Sequence, residues 1–168
     1  MDFLELLRSK EKLPNFLEKP VEYSKLGKII QSAILAPSEL QAYKIYVIGS
    51  EKAKDNVMVA CDYQEFITKA PVLVLFCADI KKAETKYGER SELIAIRDAL
   101  NAANYAHLCA VNEGVASVFI NDYHPLEILR AVDAKEYEIP VALLALGYSE
   151  TEAEDKPKRM MKELVFEV

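Results

Sequence analysis

The run "APVLVLFCAD" (Ala70–Asp79) is apolar at almost every position and ends on an acid. A strand with one wet face alternates polar and apolar residues, whereas one covered on both faces does not. This stretch therefore reads as a central strand with a layer of structure on each side. Two flanking segments support a sheet. Tyr43–Ile48 alternates and is rich in aromatic and β-branched residues, and "IPVALLALGYS" (139–149) is a second buried strand. Residues 115–120 supply a further strand.

Between these strands lie helical patterns. Leu26, Ile29, Ile30, Ala33 and Ile34 repeat at i, i+3, i+4, i+7 and i+8 within residues 22–35, and Pro37 ends that helix. Residues 2–8 form a short amphipathic helix, 51–60 another, and 62–68 a short helical turn. "KAETKYGER" (Lys82–Arg90) reads as a polar loop. From Ser91 to Asn112 runs a long helix that is apolar on more than one side and rich in Ala. Small residues let a neighbouring helix approach closely, so this helix belongs in a core or a subunit interface. Gly114 suits its C-terminal cap. Pro125 opens another helix, with Glu127 favourably placed in its first turn. The alternation predicts a single domain over 1–168, an α/β or α+β sandwich with helices packed on a central sheet. It leaves the strand order open.

Composition narrows the function. The 168 residues are 51% hydrophobic and 29% charged, with a net charge of -6. That acidity argues against non-specific nucleic-acid binding, which needs a basic surface. No apolar run approaches the roughly 18 residues of a membrane span. "MDFLELLRSKEK" lacks a signal-peptide pattern, so a cytoplasmic location is expected. Cys61, Cys77 and Cys109 share no metal-ligand spacing and read as buried structural thiols, and two histidines make a His-rich metal site unexpected. Five glycines form no phosphate-cradling loop.

What remains is a set of weak candidates. "PSELQ" (37–41) is either a solvated connection or the edge of a ligand pocket. Lys10 and Lys12, and "KPKR" (156–159), read singly as solvated surface runs. A dianionic ligand would need two such cationic segments to converge.

Eight segments, in order, resemble the nitroreductase family of FMN-dependent oxidoreductases. They are "FLELL" (3–7), "FLEKPV" (16–21), "APS…LQAYKIYVI" (36–48), "QEFITKAPVLVLFCAD" (64–79), "KYGER" (86–90), "RDALNAANYAHLCAVNEG" (97–114), "PVALLALGYSE" (140–150) and "KPKR" before "ELV". The resemblance spans nearly the whole chain. It implies an α+β sandwich with a mainly antiparallel sheet flanked by helices, in an intertwined homodimer. The segment from about 160 to 168 would extend onto the partner. FMN would bind at the dimer interface. NAD(P)H would reduce it, and a nitroaromatic, quinone or flavin would accept the electrons.

Carried over residue by residue, the resemblance places Lys10, Lys12, Lys158 and Arg159 near the flavin phosphate. It places Pro37, Ser38, Glu39, Gln41 and Asn121 around the ring and ribityl chain, with Tyr43 and Tyr123 at the open face. It implies no catalytic acid and no metal. The chain also departs from the family. Lysines replace arginines in the N-terminal signature, Glu11 is acidic and Pro14 takes the last arginine position, while Arg8–Ser9 matches as a shifted remnant. The loop after "APS" is two residues short, with Glu39 in place of an Asn. A carboxylate cannot donate as an amide does. These departures motivate an alternative, a nitroreductase-fold homodimer that has lost FMN and binds another small ligand or a protein partner.

Overall fold

A computed structural model describes residues 2–8, 12–152 and 157–167. In chain order the elements are α1 (Phe3–Arg8), α2 (Tyr23–Ile34), β1 (Tyr43–Ile48), α3 (Glu51–Ala60), α4 (Phe66–Lys69), β2 (Val72–Asp79), α5 (Ile80–Tyr87), α6 (Ser91–Asn112), β3 (Ala116–Ile120), α7 (Pro125–Ala131) and β4 (Glu138–Gly147). The strands form one sheet in the order β1-β2-β4-β3. Every neighbouring pair is antiparallel, so the fold is the α+β sandwich.

β2 is the central strand its apolar run predicts. Leu73 to Ala78 are all fully buried. Its even-numbered residues Val74 and Phe76 face a core shared with α2 and α6, where Ile29, Ala33, Ala102, Ala103, Ala106 and Ala110 pack. Leu73, Leu75 and Cys77 face the opposite core, against Val57, Ile67, Ile128 and Leu129 of α3, α4 and α7. Burial pushes the Cys77 thiol up to about 12, as it does Cys61, so both are inert packing groups at neutral pH.

One segment changes class from its sequence reading. Lys82–Arg90 is not a loop. Most of it lies in α5, followed by a 3₁₀ turn at Gly88–Arg90. The Asp79 carboxylate accepts from the Lys82 N–H at 3.1 Å, which caps the helix start. Ala83 is its one fully buried residue. A solvated helix with so narrow an apolar face has almost no periodicity to read.

The C-terminal segment 157–167 is exposed throughout and makes a 3₁₀ turn at Met161–Glu163. Val168 lies outside the described residues, as does Lys10.

Candidate functional site

The antiparallel register places the candidate residues at two ends of the sheet. Tyr43 pairs with Ala78, and Asp79 with Glu138. Ile120 pairs with Leu143 midway along β4, and the chain after it runs on toward the Glu138 end, where the Tyr123 hydroxyl reaches Pro140 O. The loop before β1, the start of α5 and the Asn121–Tyr123 segment after β3 thus share one end, the loop end. At the other end, Ala116 pairs with Gly147. Beyond Gly147 the N-terminal segment runs alongside the chain leaving β4. The Leu17 N–H donates to Tyr148 O at 2.8 Å, the Leu13 N–H donates to Thr151 O at 2.9 Å, and Lys12 and Glu152 form an isolated bridge.

At the loop end, Ser38 is the hub. Its hydroxyl donates to Asp98 Oδ2 at 2.5 Å, and its oxygen accepts from the Gln41 N–H at 2.8 Å. Gln41 has φ +49°, a left-handed backbone that non-glycine residues seldom adopt. Its side-chain amide donates to Ile34 O at 2.9 Å, closing the C-terminus of α2. The Tyr43 hydroxyl donates to Ala33 O at 3.2 Å. Pro37 and Glu39 are exposed.

The Glu39 carboxylate turns toward α5. It pairs with Lys86, and it accepts from the Tyr87 hydroxyl at 2.5 Å. The Lys86 hydrogen bond, then that from Tyr87, holds the Glu39 carboxyl below its ordinary value. A negative charge on this loop is therefore already balanced within the chain.

Asn121 is exposed and Tyr123 half-buried, with its hydroxyl directed to Pro140 O at 3.3 Å. Burial raises the Tyr123 phenol. The Gln64 side chain donates to Asp122 O at 3.1 Å, and His124 meets Asp62 at 2.9 Å. Asp62 and Tyr63 both have positive φ, +53° and +59°. The Gln64–Asp122 and His124–Asp62 contacts set the sharply turned Cys61–Gln64 segment against Asn121–His124.

At the far end, Lys12 pairs with Glu152 at 3.0 Å. Lys158 is exposed, and the Arg159 guanidinium donates to Glu163 O at 3.0 Å. The ten residues of β4 separate the two ends by about 30 Å, at ~3.3 Å per residue. One protomer therefore brings Pro37, Ser38, Glu39 and Gln41 together on one loop but does not bring Lys12 to them. Sequence reasoning missed Asp98, Lys86 and Tyr87. The first sits 60 residues from Ser38, and no local pattern marks such a pair.

No family model matches the chain. It is 25% identical to an FMN reductase [NAD(P)H] from Bacillus subtilis, over 94% of this chain and 70% of that protein. Among solved structures, NfrA2 of B. megaterium is 25% identical with a TM-score of 0.83, covering 92% of this chain and 69% of that one. A nitroreductase family protein from Streptococcus pneumoniae is 18% identical with a TM-score of 0.87, covering 99% of this chain and all of the other.

Proposed function

Because the chain belongs to the nitroreductase family, we propose that it is a cytoplasmic FMN-dependent oxidoreductase working as a homodimer. It takes hydride from NAD(P)H and passes electrons to a nitroaromatic, quinone or flavin acceptor. When bound, FMN supplies the redox chemistry, and the protein supplies binding, orientation and electrostatics.

The observation that carries this reading is the loop Pro37–Gln41. A bare carboxylate at Glu39 would oppose the negative charge of a reduced flavin. Lys86 and Tyr87 take up that charge, so the substitution of Glu for the family's Asn is compatible with a flavin ring edge. The other end also suits a bound group. Ser149, three residues before Glu152, has a buried Oγ without a hydrogen-bond partner, which a group bound at that end would satisfy if it reached the hydroxyl. In this reading Ser38, Glu39, Gln41 and Asn121 border the ring and ribityl chain, with Tyr43 and Tyr123 lining the acceptor side. Lys10, Lys12, Lys158 and Arg159 hold the phosphate. No side chain serves as a catalytic acid.

Lys12 stands too far from the Pro37–Gln41 loop for one small molecule to touch both within a protomer. They meet only if one copy's loop faces the other copy's cationic segments. An apolar surface supports that pairing. Leu93, Leu100 and Tyr105 are 64%, 42% and 41% exposed on the outer side of α6. Phe3, Leu4 and Leu7 of α1, Ile34 and Leu35 at the C-terminus of α2, and Leu164, Val165 and Phe166 of the tail are exposed as well. So much unpartnered apolar surface marks an interaction face.

The test is the visible spectrum of purified protein before and after incubation with FMN, together with the Lys158→Glu variant. A flavin band in the wild type and its loss in the variant are expected. The ion pair of Lys12 with Glu152, which engages one proposed phosphate ligand, favours the second reading, a flavin-free homodimer. A colourless dimer that ignores added FMN would establish it.

A further inference from the structure

Asp98 is the one acidic side chain within the buried face of α6, and none of that side chain reaches solvent. Buried carboxylates persist only when each oxygen is satisfied. Here Oδ1 accepts from the Arg97 guanidinium at 2.9 and 3.3 Å. Oδ2 accepts from the Ser38 hydroxyl at 2.5 Å and faces the Ala42 N–H at 3.4 Å. The partners of Oδ2 thus lie on the 38–42 loop and not on the helix that carries Asp98. Through Ser38 the connection goes one step further, because the same hydroxyl oxygen accepts the Gln41 N–H.

We propose that Asp98 is the positioning residue of the candidate flavin loop, a polar strut from the core of α6 that sets the conformation of residues 38–42. The proposal rests on the FMN reading for the identity of the ligand. A left-handed Gln41 is unfavourable unless its surroundings hold it. What holds it are the Ser38–Asp98 connection on one side and its own side chain on Ile34 O on the other. Ala42, the next residue, is fully buried and enters β1 only from that turn. Loss of the strut would leave Ser38, Glu39 and Gln41 present but misaligned with a ring. Arg97 has a second role in this arrangement. Its guanidinium satisfies Oδ1 and adds to the positive field on Glu39.

Three single variants and one double test this: Asp98→Asn, nearly isosteric but uncharged; Ser38→Ala; Ser38→Thr, which keeps the hydroxyl; and Asp98→Asn combined with Ser38→Ala. FMN affinity is measured by quenching of flavin fluorescence, and amide hydrogen exchange is measured in protein freed of flavin. Asp98→Asn and Ser38→Ala are each expected to weaken FMN binding about tenfold, the effect of losing one hydrogen bond to a charged group. The double variant should bind no more weakly than Asp98→Asn alone, because both act through one connection. Ser38→Thr should restore binding. The Gln41 and Ala42 amides should exchange faster in the first two variants. A general loss of core stability would not single out those two amides, nor make the two substitutions non-additive.

If the wild type binds FMN and the variants bind it equally well, the Asp98 proposal fails and the flavin reading stands. If the wild type ignores FMN, the flavin reading fails, and the exchange data alone decide the role of Asp98. Unchanged protection at 41 and 42 would then overturn it. Should Asp98→Asn not fold, the Ser38 pair carries the same test.

Discussion

Glu138 begins β4 with its side chain wholly buried. One carboxylate oxygen receives the Lys44 ammonium at 2.8 Å, and the other accepts from the Tyr46 hydroxyl at 2.6 Å. Both partners are on β1, so the bonds reach across β2 and tie the edge strand to the third strand in order. Removing one partner of a buried pair costs more than the pair contributes, because the other charge is stranded. Lys44→Met should therefore destabilise the fold by about 2–3 kcal/mol, seen as a lower denaturation midpoint. Adding Glu138→Gln should recover part of the loss. The hydrogen bond to Glu138 raises the Lys44 pKa. That contribution is complete below the unfolded value of about 10.4 and is lost as pH climbs through the higher folded value. The wild type should thus lose stability above about pH 10.4, and Lys44→Met should lack that component of the decline. Little of this network could be read from sequence. Lys44, Glu138 and the Ser38–Asp98 link all join residues far apart in the chain. Residue type suggested the loop, while only folding could reveal what braces it.

Element by element, the chain announced its structure wherever a long apolar stripe or run was present. α2, α6, β2 and β4 lie within a few residues of their sequence boundaries, because each buries a full face whose period is visible. α5 escaped because only Ala83 is fully buried, yet it supplies the Lys86 and Tyr87 that engage Glu39. The strand reading of 139–149 overran for a different reason. Tyr148 accepts from the Leu17 N–H of the N-terminal segment instead of joining the sheet. The last residue of β4 shows how tightly that segment closes. A Cβ on Gly147 would lie 2.6 Å from Phe16 Cδ1 and 2.7 Å from Pro71 Cδ. The proline ring cannot swing aside, so Gly147→Ala should cost about 1–3 kcal/mol through overpacking. Chemical denaturation measures it. Because Phe16 belongs to the stretch linking Lys12 to α2, protease cleavage within residues 12–20 should quicken in the variant, and unaltered cleavage would mean that Phe16 simply rotates away.

For the whole molecule, the antiparallel register makes a prediction that no single-chain pocket shares. The Pro37–Gln41 loop precedes β1, while Lys12 and its Glu152 partner lie past the opposite end of β4. If each flavin site draws the loop from one copy and the phosphate-binding cations from the other, damage at the two ends should complement between chains. Consider Lys158→Glu on one chain and Ser38→Glu on another, the latter placing a second negative charge against Asp98. Each variant alone should be colourless. In a mixed dimer, one site combines both lesions and the other combines neither. Random pairing makes about half the dimers mixed, so the co-expressed pair should carry about one quarter of the wild-type flavin. A site contained within one chain would regain none, since every chain carries one lesion. The measurement needs two affinity tags, flavin absorbance per protein, and sizing chromatography. Leu100→Glu, which puts a charge on the outer side of α6, should give monomers and abolish the recovery. Full colour in that monomer would refute the two-chain site, whereas a colourless monomer beside a half-loaded mixed dimer, one quarter of the wild-type flavin over the co-expressed population, would place the flavin between the copies.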